Sequence, residues 1–181
     1  LKSVFKLVPI LPLHPTMQPF EQKTIEALKW MIEIFNRHNI PYRIGGGLAA
    51  KVYGSPRSLN DIDFGISEKY FPVILPEISQ YITYGPARWN NDGKWDCESI
   101  TLNYHGQEID IDGEDTIKIM NKKGTEWIPL KSSETLEMNI QGVDVKIMSP
   151  NELRNYKKEL DGEHQLVDIQ AIENYLNTHK I

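Results

Sequence analysis

The spacing of apolar residues changes several times along the chain, and each change predicts an element. Ile25, Leu28, Ile32 and Phe35 recur at helical intervals, with Met31 and Ile34 widening the stripe. Pro19 suits a first helical turn and residues 39–41 close the helix, whose role is to pack beneath the glycine turn of residues 45–47. In residues 61–64 the period shortens to two, as in a strand, so Asp61 and Asp63 point from one face and Ile62 and Phe64 from the other. Residues 99–104 and 107–112 flank His105-Gly106, which predicts a hairpin with a two-residue turn. Residues 127–130, 134–140 and 143–148 read as further strands, the last two joined at Gln141-Gly142.

Ser149-Pro150-Asn151-Glu152 supplies a capping box with proline at the first helical position, so a helix starts there, with Leu153, Tyr156 and Leu160 as its apolar side. A final helix places Leu166, Ile169, Ile172 and Leu176 on one side and ends near Asn177. Residues 68–79 predict a short helix broken by Pro72 and Pro76. Residues 84–103, with Trp89, Asn90, Asn91, Asp92, Gly93 and Trp95, read as a turn-rich insertion. Its tryptophans either fold back onto the core or form an acceptor-binding loop. Residues 1–18 are proline-rich and aperiodic and read as an extended arm, leaving residues 19–181 as one domain.

Length and composition agree with that organisation. The 181 residues, 40% of them hydrophobic, are enough for a substantial core. No apolar run reaches the length of a membrane span, and the prolines of VFKLVPILPL, with no small-residue cleavage site, argue against a signal peptide. The single Cys97 has no partner for an internal disulfide, and cytoplasm is the default compartment. A net charge of −5 argues against a broad nucleic-acid surface, although Lys122, Lys123, Lys131, Lys157 and Lys158 would suit a local basic groove. The five histidines show no zinc-ligand spacing.

Chemistry concentrates in residues 42–64, YRIGGGLAAKVYGSPRSLNDIDF. Gly45, Gly46 and Gly47 follow a short apolar strand and precede a run with good helix propensity. Backbone free of Cβ atoms at a helix start can hold a phosphate through its N–H groups, or can simply make a tight turn. Asp61 and Asp63, on one strand face, repel one another unless solvent or a cation separates them, and such oxygen ligands suit Mg²⁺ or Mn²⁺.

The combination of glycine turn, a spacer of residues 48–60 and Asp61-Ile62-Asp63-Phe64 resembles the DNA polymerase beta-like nucleotidyltransferase superfamily. It is most similar to the small bacterial and archaeal members, antibiotic nucleotidyltransferases and AbiEii-like toxins among them. Gly46-Gly47-Leu48-Ala49, Arg57 and the Asp-Ile-Asp triplet carry that likeness. Leu59, where many relatives have threonine, departs from the pattern. SPNELRNYKKEL followed by HQLVDIQAI resembles the family's C-terminal helices, but Asp161-Gly162-Glu163 stands where Arg-x-Lys is usual.

The resemblance implies an α/β (α+β) nucleotidyltransferase fold, a mixed twisted β-sheet flanked by helices with C-terminal helices. It also implies a third carboxylate on a later strand. Asp110 in QEIDIDG is the best match, with Glu108 and Asp112 on the same strand face as competitors. Two Mg²⁺ or Mn²⁺ ions on Asp61, Asp63 and Asp110, and an NTP, ATP first, on Gly46, Gly47, Arg57 and Lys157, are the implied cofactor and donor. The acceptor is left open among a small molecule, a protein hydroxyl and a tRNA end, as is an antitoxin partner. An inactive nucleotide-binding module and a two-metal phosphohydrolase are the alternatives.

Overall fold

The computed structural model describes residues 19–90, 93–131 and 134–179. The arm of residues 1–18 and the pair Asn91 and Asp92 lie outside the described residues. The elements follow the chain as α1 (Gln22–Arg37), β1 (Arg43–Ile44), α2 (Gly46–Val52), β2 (Asp61–Ile66), α3 (Phe71–Ile78) and β3 (Ile82–Trp89). They continue as β4 (Trp95–Tyr104), β5 (Gln107–Gly113), β6 (Lys118–Met120), β7 (Trp127–Pro129), β8 (Thr135–Ile140), β9 (Val143–Met148), α4 (Pro150–Lys158) and α5 (Glu163–His179).

The strands form one mixed sheet in the order β7-β6-β4-β5-β2-β1-β9-β8, with β3 paired to β4 off this path. β2 and β5 run parallel at its centre, and β4 and β1 flank them antiparallel. Period-two alternation gives this pair two unlike faces. Ile62, Phe64, Ile66, Ile109 and Ile111 are buried in a core shared with Leu28, Met31 and Phe35 of α1. The Phe35 ring meets Phe64 edge-on at 5.2 Å. Each such aliphatic or aromatic side chain contributes about 1.5–3 kcal/mol when fully buried, so the register of β2 on β5 is strongly specified.

The turns and caps follow local chemistry. His105 (φ 49°) and Gly106 (φ 86°) make the left-handed turn between β4 and β5, and Gln141 and Gly142 do the same between β8 and β9. The Ser149 hydroxyl accepts the Glu152 N–H at 3.4 Å at the start of α4.

Three expectations are corrected. Residues 68–79 are not a broken helix: Glu68–Tyr70 is a single 3₁₀ turn leading into α3, which continues through Pro76. Most of residues 84–103 is strand, because β3 and β4 pair as a long hairpin, and of the described residues between Trp89 and Trp95 only Asn90, Gly93 and Lys94 lie outside the strands. In α5 the buried side is Gln165, Asp168, Ala171, Ile172, Tyr175 and Leu176, whereas Leu166 is 62% exposed. Two polar residues on the inward face of that helix defeat a reading based on hydrophobicity. No helix among the described residues is long and apolar enough to cross a membrane.

Candidate active site

Asp61 and Asp63 stand on the face of β2 opposite the core, and the parallel register sets Asp63 beside Asp110 of β5 and Asp61 beside Glu108. Neighbouring strands lie about 4.8 Å apart, so carboxylates in register on one face must meet. One oxygen from each of Asp61, Asp63 and Asp110 lies within 4.8 Å of the others. All three residues are half-buried.

The glycine turn abuts this trio. Gly46 has φ 53°, and a Cβ there would fall 1.7 Å from the Asp63 carboxylate, so glycine is required both by the backbone and by the approach of β2. The Gly47 N–H donates to Asp63 Oδ2 at 3.3 Å. Gly46 and Gly47 thus sit against the acidic cluster, as the spacing of the motif requires.

Crowding like charges raises proton affinity. Burial, followed by repulsion from Asp61, Asp112 and Asp110, pushes the Asp63 carboxyl up to about 8. Asp110 is pushed up to about 6 by burial, against the opposing hydrogen bond from the Thr101 hydroxyl to its Oδ1 at 2.7 Å. Burial also raises Asp112, which is countered by hydrogen bonds from Ser99 and Cys97. Asp110 and Asp112 both have donors on β4, and Asp110 is the residue whose oxygen joins the pair on β2.

This donor set fits a hard divalent cation. Three carboxylates supply oxygen ligands alone, and their mutual repulsion is what a cation relieves.

A cleft of about 500 Å³ opens on the Asp110 side, lined by Asp61, Asp63, Glu108, Asp110 and Asp112 and walled by Tyr84, Trp89 and Trp95. Trp89 is 41% exposed and meets the Tyr84 ring edge-on at 5.3 Å. The hairpin tryptophans are thus part of a cleft wall, and Trp95 also contacts Tyr156 of α4 at 5.8 Å. Burial, with Asp63 next in importance, holds the Tyr156 hydroxyl well above its ordinary range.

The two remaining residues singled out in the sequence meet at a second cluster. Lys157 is only 3% exposed, and its Nζ donates to Asp168 Oδ2 at 2.9 Å and to Gln165 Oε1 at 3.2 Å. Arg57 Nη1 donates to the same Asp168 oxygen at 2.7 Å. Asp168, absent from the sequence-based site, is thus the residue that gathers both cations. Its only sequence signal is a carboxylate four residues before Ile172, on a helix face that also carries Gln165. Of the five lysines proposed for a basic groove, Lys122, Lys157 and Lys158 line one together, alongside Asp161 and Glu163, and Lys123 and Lys131 do not. Asp161 pairs with Lys94 at 2.6 Å, so the acidic turn between α4 and α5 is tied to the β3–β4 hairpin.

A mixed sheet with flanking and C-terminal helices is the fold that this chain shares with solved nucleotidyltransferases, and it carries an acidic trio beside a glycine turn. No family model matches the chain, and no curated protein matches it either. Among solved structures, a candidate nucleotidyltransferase from Thermotoga maritima matches with a TM-score of 0.58 at 18% identity, over 90% of this chain and 99% of that one. The lincosamide antibiotic adenylyltransferase LnuA, bound to lincomycin, gives 0.57 at 14% identity over 87% and 98%. The antibiotic-resistance factor ANT(2'')-Ia gives 0.56 at 12% identity over 88% of each chain.

Proposed function

We propose that this protein is a Mg²⁺-dependent nucleotidyltransferase that moves a nucleoside monophosphate from an NTP, with ATP the expected donor, to a hydroxyl acceptor. One observation carries the proposal: three carboxylates from two parallel strands converge within 4.8 Å, directly against a glycine turn that only glycine can make. Asp61, Asp63 and Asp110 would hold the divalent cations, Mg²⁺ or Mn²⁺. When bound, such ions neutralise charge on the phosphates and lower the proton affinity of the attacking hydroxyl.

The chain's own groups divide the remaining work. The backbone of Gly46 and Gly47, free of Cβ atoms, lets the triphosphate approach closely, with Arg57 and Lys157 supplying positive charge. The acceptor oxygen attacks the α-phosphorus, the bond to the α–β bridging oxygen breaks, and pyrophosphate leaves. Asp110, with Oδ1 occupied by Thr101, is left with Oδ2 to receive the acceptor proton. The aromatic walls of the cleft exclude water on the acceptor side and bind a ring or apolar face. The solved LnuA is bound to lincomycin and ANT(2'')-Ia is in complex with adenylyl-2''-tobramycin, and a small-molecule acceptor is the reading a cleft of this size supports best.

The test is incubation with each α-labelled NTP, Mg²⁺ and fractionated cell extract. Transfer of label with release of pyrophosphate, abolished in Asp61→Asn, is the expected result. Release of nucleoside monophosphate alone would make the protein a phosphohydrolase. ATP binding without turnover in any fraction would leave a nucleotide-binding module.

A further inference from the structure

The Asp168 cluster has a charge balance that packing does not explain. Asp168 Oδ1 accepts the Ser55 hydroxyl at 2.6 Å, while Oδ2 accepts both Arg57 Nη1 and Lys157 Nζ. The Asp168 side chain is 1% exposed and that of Lys157 is 4% exposed. Two cations around one carboxylate leave one positive charge unmatched within the cluster. A buried ion pair adds little net stability over an apolar pair of the same volume, and the extra positive charge faces solvent at Arg57, 30% exposed, and the acidic trio at Lys157.

The surroundings indicate where an anion would meet that charge. Ser55 and Arg57 belong to the loop that runs from α2 into Asp61, and Lys157 sits on α4, whose Tyr156 lines the crevice beside Gly45, Gly46 and Asp63. Lys157 is near enough to Asp63 to favour its ionised form. The lysine also lines the groove that holds Lys122 and Lys158. The ammonium thus lies between the acidic trio and a groove of mixed charge that Asp161 and Glu163 also line.

We propose that Asp168 is a positioning residue for polyphosphate: by holding Lys157 and Arg57 on one oxygen it fixes their positive charge beside the crevice of Gly46 and Asp63, where a triphosphate would meet it. Ser55 keeps the carboxylate from rotating by occupying its other oxygen. This inference rests on the nucleotidyltransferase reading and extends it to a residue that touches neither metal nor substrate.

Calorimetric titration of the full chain with inorganic tripolyphosphate tests the inference, with Mn²⁺ binding and thermal unfolding measured on the same samples. The wild type binds tripolyphosphate. Asp168→Asn weakens that binding about tenfold or more, the loss expected of a charge-assisted contact, while Mn²⁺ binding and cooperative unfolding persist. Lys157→Met produces a similar loss, and the double variant loses little more than either single one, because both act through one contact.

Ser55→Ala leaves every charge in place and weakens tripolyphosphate about threefold, as for a neutral hydrogen bond. A folded Asp168→Asn protein that binds tripolyphosphate as well as or better than the wild type overturns the proposal. Should that variant fail to fold, wild-type affinity in Ser55→Ala overturns it instead. Absence of tripolyphosphate binding by the wild type removes both this inference and the transferase reading. Equal binding by wild type and Asp168→Asn removes this one alone.

Discussion

Two charged clusters sit close together in this molecule and are built on opposite rules. Around Asp168, a buried carboxylate is surrounded by donors: a hydroxyl, a guanidinium and an ammonium, all within 3 Å. At the acid trio, three carboxylates face one another, with the Thr101 hydroxyl on Asp110 and the Gly47 N–H on Asp63 as donors that relieve only part of the repulsion. The first cluster satisfies its buried carboxylate, which is how a protein holds a group still. The second stores electrostatic repulsion that a divalent cation would discharge, a mark of sites selected for binding over stability.

The difference can be broken most decisively at the trio. Asp61→Asn or Asp63→Asn is expected to reduce label transfer about a thousandfold, the loss of roughly 4 kcal/mol that bound cations contribute to charge stabilisation, measured by pyrophosphate release. Retained turnover in either variant would remove the metal assignment.

At the other cluster the same kind of change should act on stability. Asp168→Ala leaves two cations without their counter-charge and is expected to cost about 3 kcal/mol in urea denaturation. Adding Lys157→Met should recover part of that loss. If Asp168→Ala unfolds like the wild type, the cluster does not hold α5 against α4.

Acidity separates the clusters further. In the metal-free protein the Asp63 carboxyl keeps its proton up to about 8, against about 4 in an unfolded chain. The folded state therefore binds the proton more tightly, and the stability linked to this group is greatest at low pH and falls as pH rises from about 4 to about 8. Asp63→Asn removes that dependence, so the variant is expected to be more stable than the wild type at pH 8 in chelator, on the order of 1–2 kcal/mol, and similar to it at pH 4. Denaturation curves at the two pH values check the sign.

The smallest effect is expected at Thr101. Thr101→Val frees Asp110 from its hydrogen bond and should slow transfer about fivefold with little loss of stability, since one neutral hydrogen bond is worth about 1 kcal/mol. A kcat unchanged in that variant would mean that Thr101 does not orient Asp110.

The site is legible where one short motif carries it. Gly46, Gly47, Asp61 and Asp63 lie within a single turn-and-strand unit, and the alternation of QEIDIDG narrows the third carboxylate to three residues on one strand face. Sequence spacing cannot rank Asp110 above Glu108 and Asp112, because all three share that face; the convergence of its carboxylate with those of Asp61 and Asp63 does. The β3–β4 hairpin looks like a series of turns in the sequence because asparagines, glycine and proline interrupt it, while pairing along β4 holds it as strand. Asp168 escapes a sequence reading for a different reason. A hydrophobic stripe search places polar residues outward, and α5 turns Gln165 and Asp168 inward to meet Lys157.

What the amino-acid sequence determined by itself was local: the strand, glycine turn and Asp-Ile-Asp order, the capped start of α4 and the turns at His105-Gly106 and Gln141-Gly142. Each depends on backbone preferences and side-chain periods spanning a few residues. Tertiary structure brought Asp110, the third carboxylate that the resemblance implied, together with Asp61 and Asp63, and it alone decided which aromatic rings wall the cleft and that one aspartate on the last helix binds two cations contributed by earlier segments. Those outcomes depend on register and packing between residues as far apart as Ser55 and Asp168, and a charge offsets the cost of burial only when its partners arrive from elsewhere in the chain.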